Sequence, residues 1–301
     1  MQATLPNGIE LSYESFGDTG APAVLLIMGL GAQMLRWNIE ICDGLVAKGY
    51  RVIRFDNRDC GCSSWMDGAS IPSVAEVVAA LQSGRAPEVP YALEDMAGDC
   101  LGLLDALGID SAHLVGISMG GAIAQLVTAH HPERVRSLAC LMTSSGHPGL
   151  PGPTPDAAAA LFAPLPRERT RENMIADGIR RFRVVASPSY PSDDEWLQAL
   201  FAREFDRGFN PQGVARQLAA IIANGDRRAL LARIAVPTLV LHGADDPLIP
   251  VGCGEDIARH VPGARLQVVS GMGHDLPLAL TDTFVSAIAA LAGEAEALRR
   301  T

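Results

Sequence analysis

The sequence predicts an α/β protein: a mostly parallel central sheet flanked by helices, with one helical insertion. Three observations carry this. Short apolar runs alternate with segments of helical periodicity through the first half of the chain. The same alternation returns after residue 236. Between the two lies a long stretch with helical spacing and no strand pattern. Alternating strands and helices imply parallel strands, because each parallel connection must cross the sheet and is usually a helix.

The elements follow in order. Residues 23–28 (AVLLIM) are an apolar run between Pro22 and Gly29, as a strand buried on both faces should be. Residues 38–48 read as a helix stopped by Gly49, and 51–56 (RVIRFD) as the next strand. Residues 91–107 have apolar spacing near 3.6 and end at Gly108, so they form a helix. A strand at 112–117 (AHLVGI), a helix across 120–130 and a strand at 135–142 complete the first half. The segment HPGLPGPTP (147–155) holds four Pro and two Gly and reads as a linker. Residues 157–230 then read as several helices. Strands return at 237–243 (PTLVLHG) and 265–270 (RLQVVS), and 281–299 form a closing amphipathic helix. The expected organisation is a core of residues 1–146 and 231–301, with a helical cap at 147–230.

Composition narrows the function. The 301 residues carry 24 Lys+Arg against 34 Asp+Glu, a formal net charge of −10. Phosphate contacts need clustered cations, and none is visible, so no nucleic-acid partner is expected. The apolar run from residue 21 to 32 is broken by Pro22, Gly29 and Gly31. A membrane-crossing helix needs about 20 apolar residues, so no span is expected. The first residues, MQATLPNGIELSYE, have neither the charged nor the apolar region of a secretory signal. Six Cys without a zinc spacing fit reduced thiols in a cytoplasm. Lys48, the one lysine, sits at a helix end, where its charge suits the dipole.

The most informative segment is HLVGISMGGAIAQ (113–125). It holds G-x-S-x-G as Gly116, Ser118 and Gly120, between a strand and a helix. A serine on such a turn is lifted above the sheet, and the flanking glycines leave room for the crowded chain. The backbone N–H of Met119 falls at a helix N-terminus, where an oxyanion is favoured. A serine hydroxyl is a weak nucleophile and needs a base. Of seven His, His274 lies in a glycine-rich loop (SGMGHDLP) directly after the last strand, at the strand end where sites form in open α/β sheets. His113, His130, His131, His147, His242 and His260 lie at strand or helix positions, or at the linker, with structural readings. The acid that orients the base comes from HGADDP (242–247), which offers Asp245 and Asp246. Asp246, directly before Pro247, is the expected partner. The order Ser118, Asp246, His274 is that of the α/β-hydrolase arrangement.

These segments together resemble the α/β-hydrolase superfamily over nearly the whole chain. The resemblance rests on IMGLG (27–31), FDNRDCGCS (55–63), GISMGG (116–121), HGADDPLIP (242–250) and GMGH (271–274). It implies the α/β-hydrolase fold with a helical cap. It also implies that the loop after the first buried strand supplies a second oxyanion donor, the Leu30 N–H. Met28-Gly29 stands where the family usually has His-Gly, and the donor is main chain. Asp246 matches the family's G-x-x-D spacing from Gly243. Arg58 lies in a turn near the site and reads as structural. Within the superfamily the sequence is most similar to bacterial carboxylesterases, a group that includes aclacinomycin methylesterase.

The expected function is therefore hydrolysis of a small-molecule carboxylic ester through an acyl-enzyme, with no metal or organic cofactor required. Serine at position 118 disfavours the dehalogenases and epoxide hydrolases of this superfamily, which use Asp there, and the dienelactone hydrolases, which use Cys. Lactone cleavage and cofactor-free perhydrolase chemistry share the same triad and are the alternatives. A non-catalytic small-ligand receptor is a third reading. Candidate aromatic lining comprises Phe162, Phe182, Trp196, Phe201 and Phe209 from the cap, with Trp37 and Trp65 from the core loops. The segments 146–155 and 224–226 are candidate hinges.

Overall fold

The computed structural model describes residues 1–299, so the last two residues of the expected core segment lie outside it. An eight-stranded sheet organises the chain in the order β1-β2-β4-β3-β5-β6-β7-β8. Its strands are β1 (Gln2–Thr4), β2 (Glu10–Phe16), β3 (Ala23–Ile27), β4 (Arg51–Phe55), β5 (Ala112–Ile117), β6 (Val135–Leu141), β7 (Thr238–Gly243) and β8 (Arg265–Val269). From β4 to β8 every neighbouring pair is parallel. β1 and β2 form an antiparallel edge that the sequence reading did not include. They are short and largely polar, with only Ala3, Leu11 and Ser12 buried among their residues, so neither shows a continuous apolar run.

The helices are α1 (Ile39–Ala47), α2 (Val74–Gln82), α3 (Leu93–Ala106), α4 (Met119–His130), α5 (Pro155–Phe162), α6 (Arg171–Val185), α7 (Asp194–Arg207), α8 (Pro211–Asn224), α9 (Arg228–Leu231), α10 (Val251–His260) and α11 (Thr281–Leu298). Period-2 alternation divides each central strand between two cores. Leu25 and Ile27 of β3 join Leu114 in packing against α3 and α4. Val24 and Leu26 join Val115 and Leu241 in packing against α1 and α11. Each fully buried Leu or Ile contributes roughly 1.5–3 kcal/mol relative to exposure. The stretch Leu278–Leu298 is long and apolar enough to cross a membrane, with mean hydropathy 1.3. Its Phe284, Val285, Ile288 and Leu291 instead pack on the sheet, as the core helix of a folded domain does.

Because β3 to β8 run the same way, their carboxyl ends share one edge of the sheet, and loops from different strands can converge there. Helices α5–α9 fall between β6 and β7, with no strand among the described residues 147–230. α8 is clamped onto the core. Arg216 (0% exposed) donates to both carboxylate oxygens of Asp59 at 2.8 Å, in the loop after β4. Gln217 accepts from the Gly31 N–H at 2.8 Å and donates to the Arg58 carbonyl at 2.8 Å. The two connections at the base of this helical stretch are tied by Arg227. Its backbone N–H donates to the Ser145 carbonyl, and its guanidinium donates to Ser144, Gln125 and Asn224.

Candidate active site

Ser118 joins β5 to α4 with φ 56° and ψ −121°, a positive-φ conformation that costs a non-glycine residue about 1–3 kcal/mol and persists only when its surroundings fix it. They do. The Ser118 N–H donates to the Leu141 carbonyl at 2.9 Å, and the Ser118 carbonyl accepts from the Gly121 N–H and the Thr143 hydroxyl. The flanking glycines are required by close approach. A Cβ on Gly116 would lie 2.2 Å from the Gly120 carbonyl oxygen, and one on Gly120 would lie 2.1 Å from that of Ile27. The serine is half-buried between fully buried neighbours, so its hydroxyl is reachable.

Met119 is the first residue of α4, so its N–H has no acceptor within the helix. The loop after β3 comes up beside Ser118. A Cβ on Gly29 would lie 3.1 Å from the Ser118 Cβ and 3.6 Å from its Oγ. Leu30 follows Gly29, and its N–H pairs with no protein acceptor among the described residues. Two main-chain donors thus border the serine.

Asp246 follows β7 and His274 follows β8. His274 Nδ1 donates to Asp246 Oδ2 at 2.7 Å. The other carboxylate oxygen accepts from the N–H groups of Leu248 and Ile249 at 2.9 and 2.8 Å, which fixes the carboxylate's direction. Asp246 is 5% exposed. Asp245 faces elsewhere and accepts from the Gly271 N–H at 2.8 Å, which braces the His274 loop. The structure therefore brings Asp246 to His274 directly and groups Ser118, Leu30 and Met119 at the ends of β3 and β5. The Ser118 hydroxyl makes no hydrogen bond among the described residues, a state common before substrate binds and tightens the site.

Four of the remaining histidines have structural partners, and His130 and His131 are exposed at the end of α4. His242 is buried in β7 and donates from Nε2 to the Ile249 carbonyl at 2.7 Å, with Asp246 Oδ2 3.6 Å away. Burial lowers its pKa and keeps it neutral beside the acid. His113 lies in β5 against Ser137, His260 ends α10, and His147 pairs with Asp226 at 2.9 Å. Arg58 is held by Asp99 through two bonds of 2.6 Å and lies over the Tyr91 ring, a structural role.

A cavity of about 140 Å³ lies between the loops after β3 and β4 and helices α6–α8. Phe201 and Phe209 line it, as does Phe205, which the sequence did not single out. Arg36, paired with Glu204 at 2.9 Å, supplies a charged wall. Gly31 is its link to the oxyanion side, and Ser118 and His274 are outside the lining. Other aromatic candidates fall elsewhere. Trp37 is 0% exposed in the core beside α1, which corrects its placement as lining. Phe162 and Trp65 are exposed, and Phe182 and Trp196 pack among α6 and α7. Gln217, Arg216 and Ser187 also brace the site, and the sequence reading did not find them. Their partners lie more than eighty residues away, so no local pattern marks them.

Comparison with known proteins identifies the family and the fold. The family model described as alpha/beta hydrolase fold matches residues 22–278. The rhodomycin D methylesterase DnrP of Streptomyces peucetius is 28% identical over 303 residues, covering 94% of each chain. A 2-hydroxy-6-oxononadienedioate/2-hydroxy-6-oxononatrienedioate hydrolase of Paraburkholderia xenovorans is 30% identical, covering 88% of this chain and 84% of its own. The crystal structure of an enol-lactonase from Burkholderia xenovorans superposes with a TM-score of 0.73 at 27% identity, covering 97% of this chain and 99% of that one. With its family model spanning most of the sequence and its sheet, elbow and strand-end loops arranged accordingly, the chain belongs to the alpha/beta hydrolase family, as an esterase-like hydrolase.

Proposed function

We propose that this hydrolase cleaves carboxylic esters through a covalent acyl-enzyme on Ser118. The observation that carries the reading is the His274–Asp246 bond at 2.7 Å, formed on the same edge of the sheet as the strained Ser118 turn. His274 takes the Ser118 proton from Nε2 as the hydroxyl attacks the ester carbonyl. Asp246, held by two backbone N–H groups, keeps Nδ1 protonated and stabilises the imidazolium. The Leu30 and Met119 N–H groups receive the oxyanion, each such donor being worth about 2.7–4 kcal/mol. His274 then protonates the leaving alkoxide, and water attacks the acyl-enzyme with His274 as base.

Support for an ester substrate comes from the relatives, whose names include a methylesterase and an enol-lactonase. A lactone is a cyclic ester, so the same attack opens it. The expected cap at 147–230, over a core of 1–146 and 231–301, is part of this proposal. Its support is the contact of α8 with Gly31 and of the α6–α7 connection with the His274 loop. A cytoplasmic site of action fits six unpaired cysteines, five of them buried.

The test is hydrolysis of p-nitrophenyl acetate and butyrate by the wild type and Ser118→Ala. Loss of activity in a folded variant is the expected result, and activity near wild type contradicts the proposal. Peroxide-dependent bromination of monochlorodimedone that outruns ester hydrolysis would favour the perhydrolase alternative. Tight ligand binding without turnover would favour a receptor.

A further inference from the structure

Asp275 is a buried carboxyl to which the ester mechanism gives no task. It follows His274 in sequence and is 4% exposed. Its Oδ1 accepts from the Ser187 N–H at 3.0 Å and from the Ser187 hydroxyl. Its Oδ2 is buried with no partner among the described residues. The Ser187 Oγ also accepts from the Gly273 N–H at 2.9 Å, so one side chain ties two positions of the loop that carries the base.

Ser187 lies in the connection between α6 and α7, and the neighbouring residues grip the same loop. The His274 N–H donates to the Val185 carbonyl at 2.7 Å, and the Ser189 N–H donates to the Gly271 carbonyl at 3.1 Å. A Cβ on Gly273 would lie 2.6 Å from the Val185 carbonyl oxygen, so the two backbones meet directly. The base loop is stitched on both sides of His274 to a segment more than eighty residues earlier. These bonds fall on both sides of the residue proposed as the base.

The charge next to the base is the second feature. Burial raises the pKa of Asp275, while the Ser187 bonds and His274 oppose the shift and Asp246 adds to it. His274 and Asp246 are the ionisable groups that act on it, and His242, whose burial lowers its pKa, lies 3.6 Å from Asp246. An anion at this position is costly alone and favourable once the imidazolium forms, since an opposite charge nearby stabilises the charged form of each.

We propose that Ser187 and Asp275 are positioning residues for the base: Ser187 fixes the loop that aims the His274 ring, and the Asp275 carboxylate stands as a second negative charge beside the imidazolium formed when Ser118 gives up its proton. The proton passes from Ser118 Oγ to His274 Nε2 and does not move to Asp275. The inference rests on the ester-hydrolysis reading.

Asp275→Asn keeps the Oδ1 acceptor and the volume and removes the charge. Ser187→Ala keeps the backbone N–H and removes the hydroxyl. Both are assayed on p-nitrophenyl butyrate across roughly pH 5 to pH 9, with thermal midpoints and with fluorophosphonate labelling of the wild type located by peptide mass spectrometry. For Asp275→Asn the acidic limb of kcat/KM moves to lower pH by about half a unit or more, because the imidazolium has lost a neighbouring anion. For Ser187→Ala kcat falls about tenfold while KM changes less than about twofold, as expected for a misaimed base with substrate binding intact. An unmoved acidic limb in folded Asp275→Asn overturns the proposal. If that variant does not fold, a wild-type kcat in Ser187→Ala overturns it. A wild type that carries no label on Ser118 overturns the underlying ester reading instead, whereas labelled wild type with unaffected variants overturns this inference alone.

Discussion

A methyl group on Gly120 would sit 2.1 Å from the Ile27 carbonyl oxygen, so the nucleophile turn tolerates no side chain there. Gly120→Ala is expected to lower stability by about 2–3 kcal/mol through forced backbone movement and to reduce ester hydrolysis more than a merely destabilised enzyme would show. Thermal melts and kcat at a temperature where both proteins are folded check this. Asp246→Asn leaves the carboxylate's volume and removes the group that selects the His274 tautomer. A drop in kcat of about 10⁴-fold is expected, the scale seen when a buried triad carboxylate is neutralised. At this scale much was legible in the sequence. Ser118 stood in a five-residue pattern between a strand and a helix, and His274 and Asp246 lay in loops directly after strands. Asp275 and Ser187 were not legible, because a carboxyl beside a histidine reads as a surface residue until its burial is known.

Helix α8 owes its seating to a buried ion pair that its own sequence conceals. Arg216 and Asp59 are both essentially unexposed, and Asp59 holds φ 65° while also accepting from Tyr91 and the Met66 N–H. Burial pushes the Asp59 carboxyl up, but its bonds to Arg216, Met66 and Tyr91 outweigh that and leave it below the usual carboxylate range. A depressed native value means that the stabilisation is present above about pH 4 and lost as pH falls through the native value. Arg216→Met strands the carboxylate and is expected to cost about 3–5 kcal/mol at neutral pH. It should also flatten the loss of stability below pH 4, measured as urea midpoints. The helical stretch itself was legible from its Pro-rich entry and its lack of strand pattern. Its clamping was not, since an arginine on a helix face is exposed by default, and its partner here lies 157 residues away.

Across the whole molecule, the sheet joins segments from the first sixteen residues to residue 269 and is closed on one face by α11. His113 sits at that closure, 2.9 Å from Ser137 and 3.3 Å from Glu296, with Tyr50 packed edge-on. Burial is the main cause that pushes its pKa down to about 4, against the pull of Glu296. The native state therefore holds it neutral, whereas the unfolded chain protonates it near pH 6.5. The sign follows: stability is full above that value and declines as pH falls toward 4. His113→Asn is expected to remove part of that decline in urea midpoints between those limits, and an unchanged slope counts against the assignment. The central strands were legible because burial on both faces makes them continuous apolar runs. β1 and β2 were not, because an antiparallel edge half-open to water carries mixed side chains. The acidic composition gave the expectation of no polyanion partner and left the chemistry to the motifs. The most direct test of that chemistry is the intact mass and peptide map of the wild type after a fluorophosphonate. The account predicts one adduct, on Ser118, with activity lost in proportion and no adduct in Ser118→Ala. An adduct on another residue, or full ester hydrolysis by the Ser118→Ala protein, would contradict it.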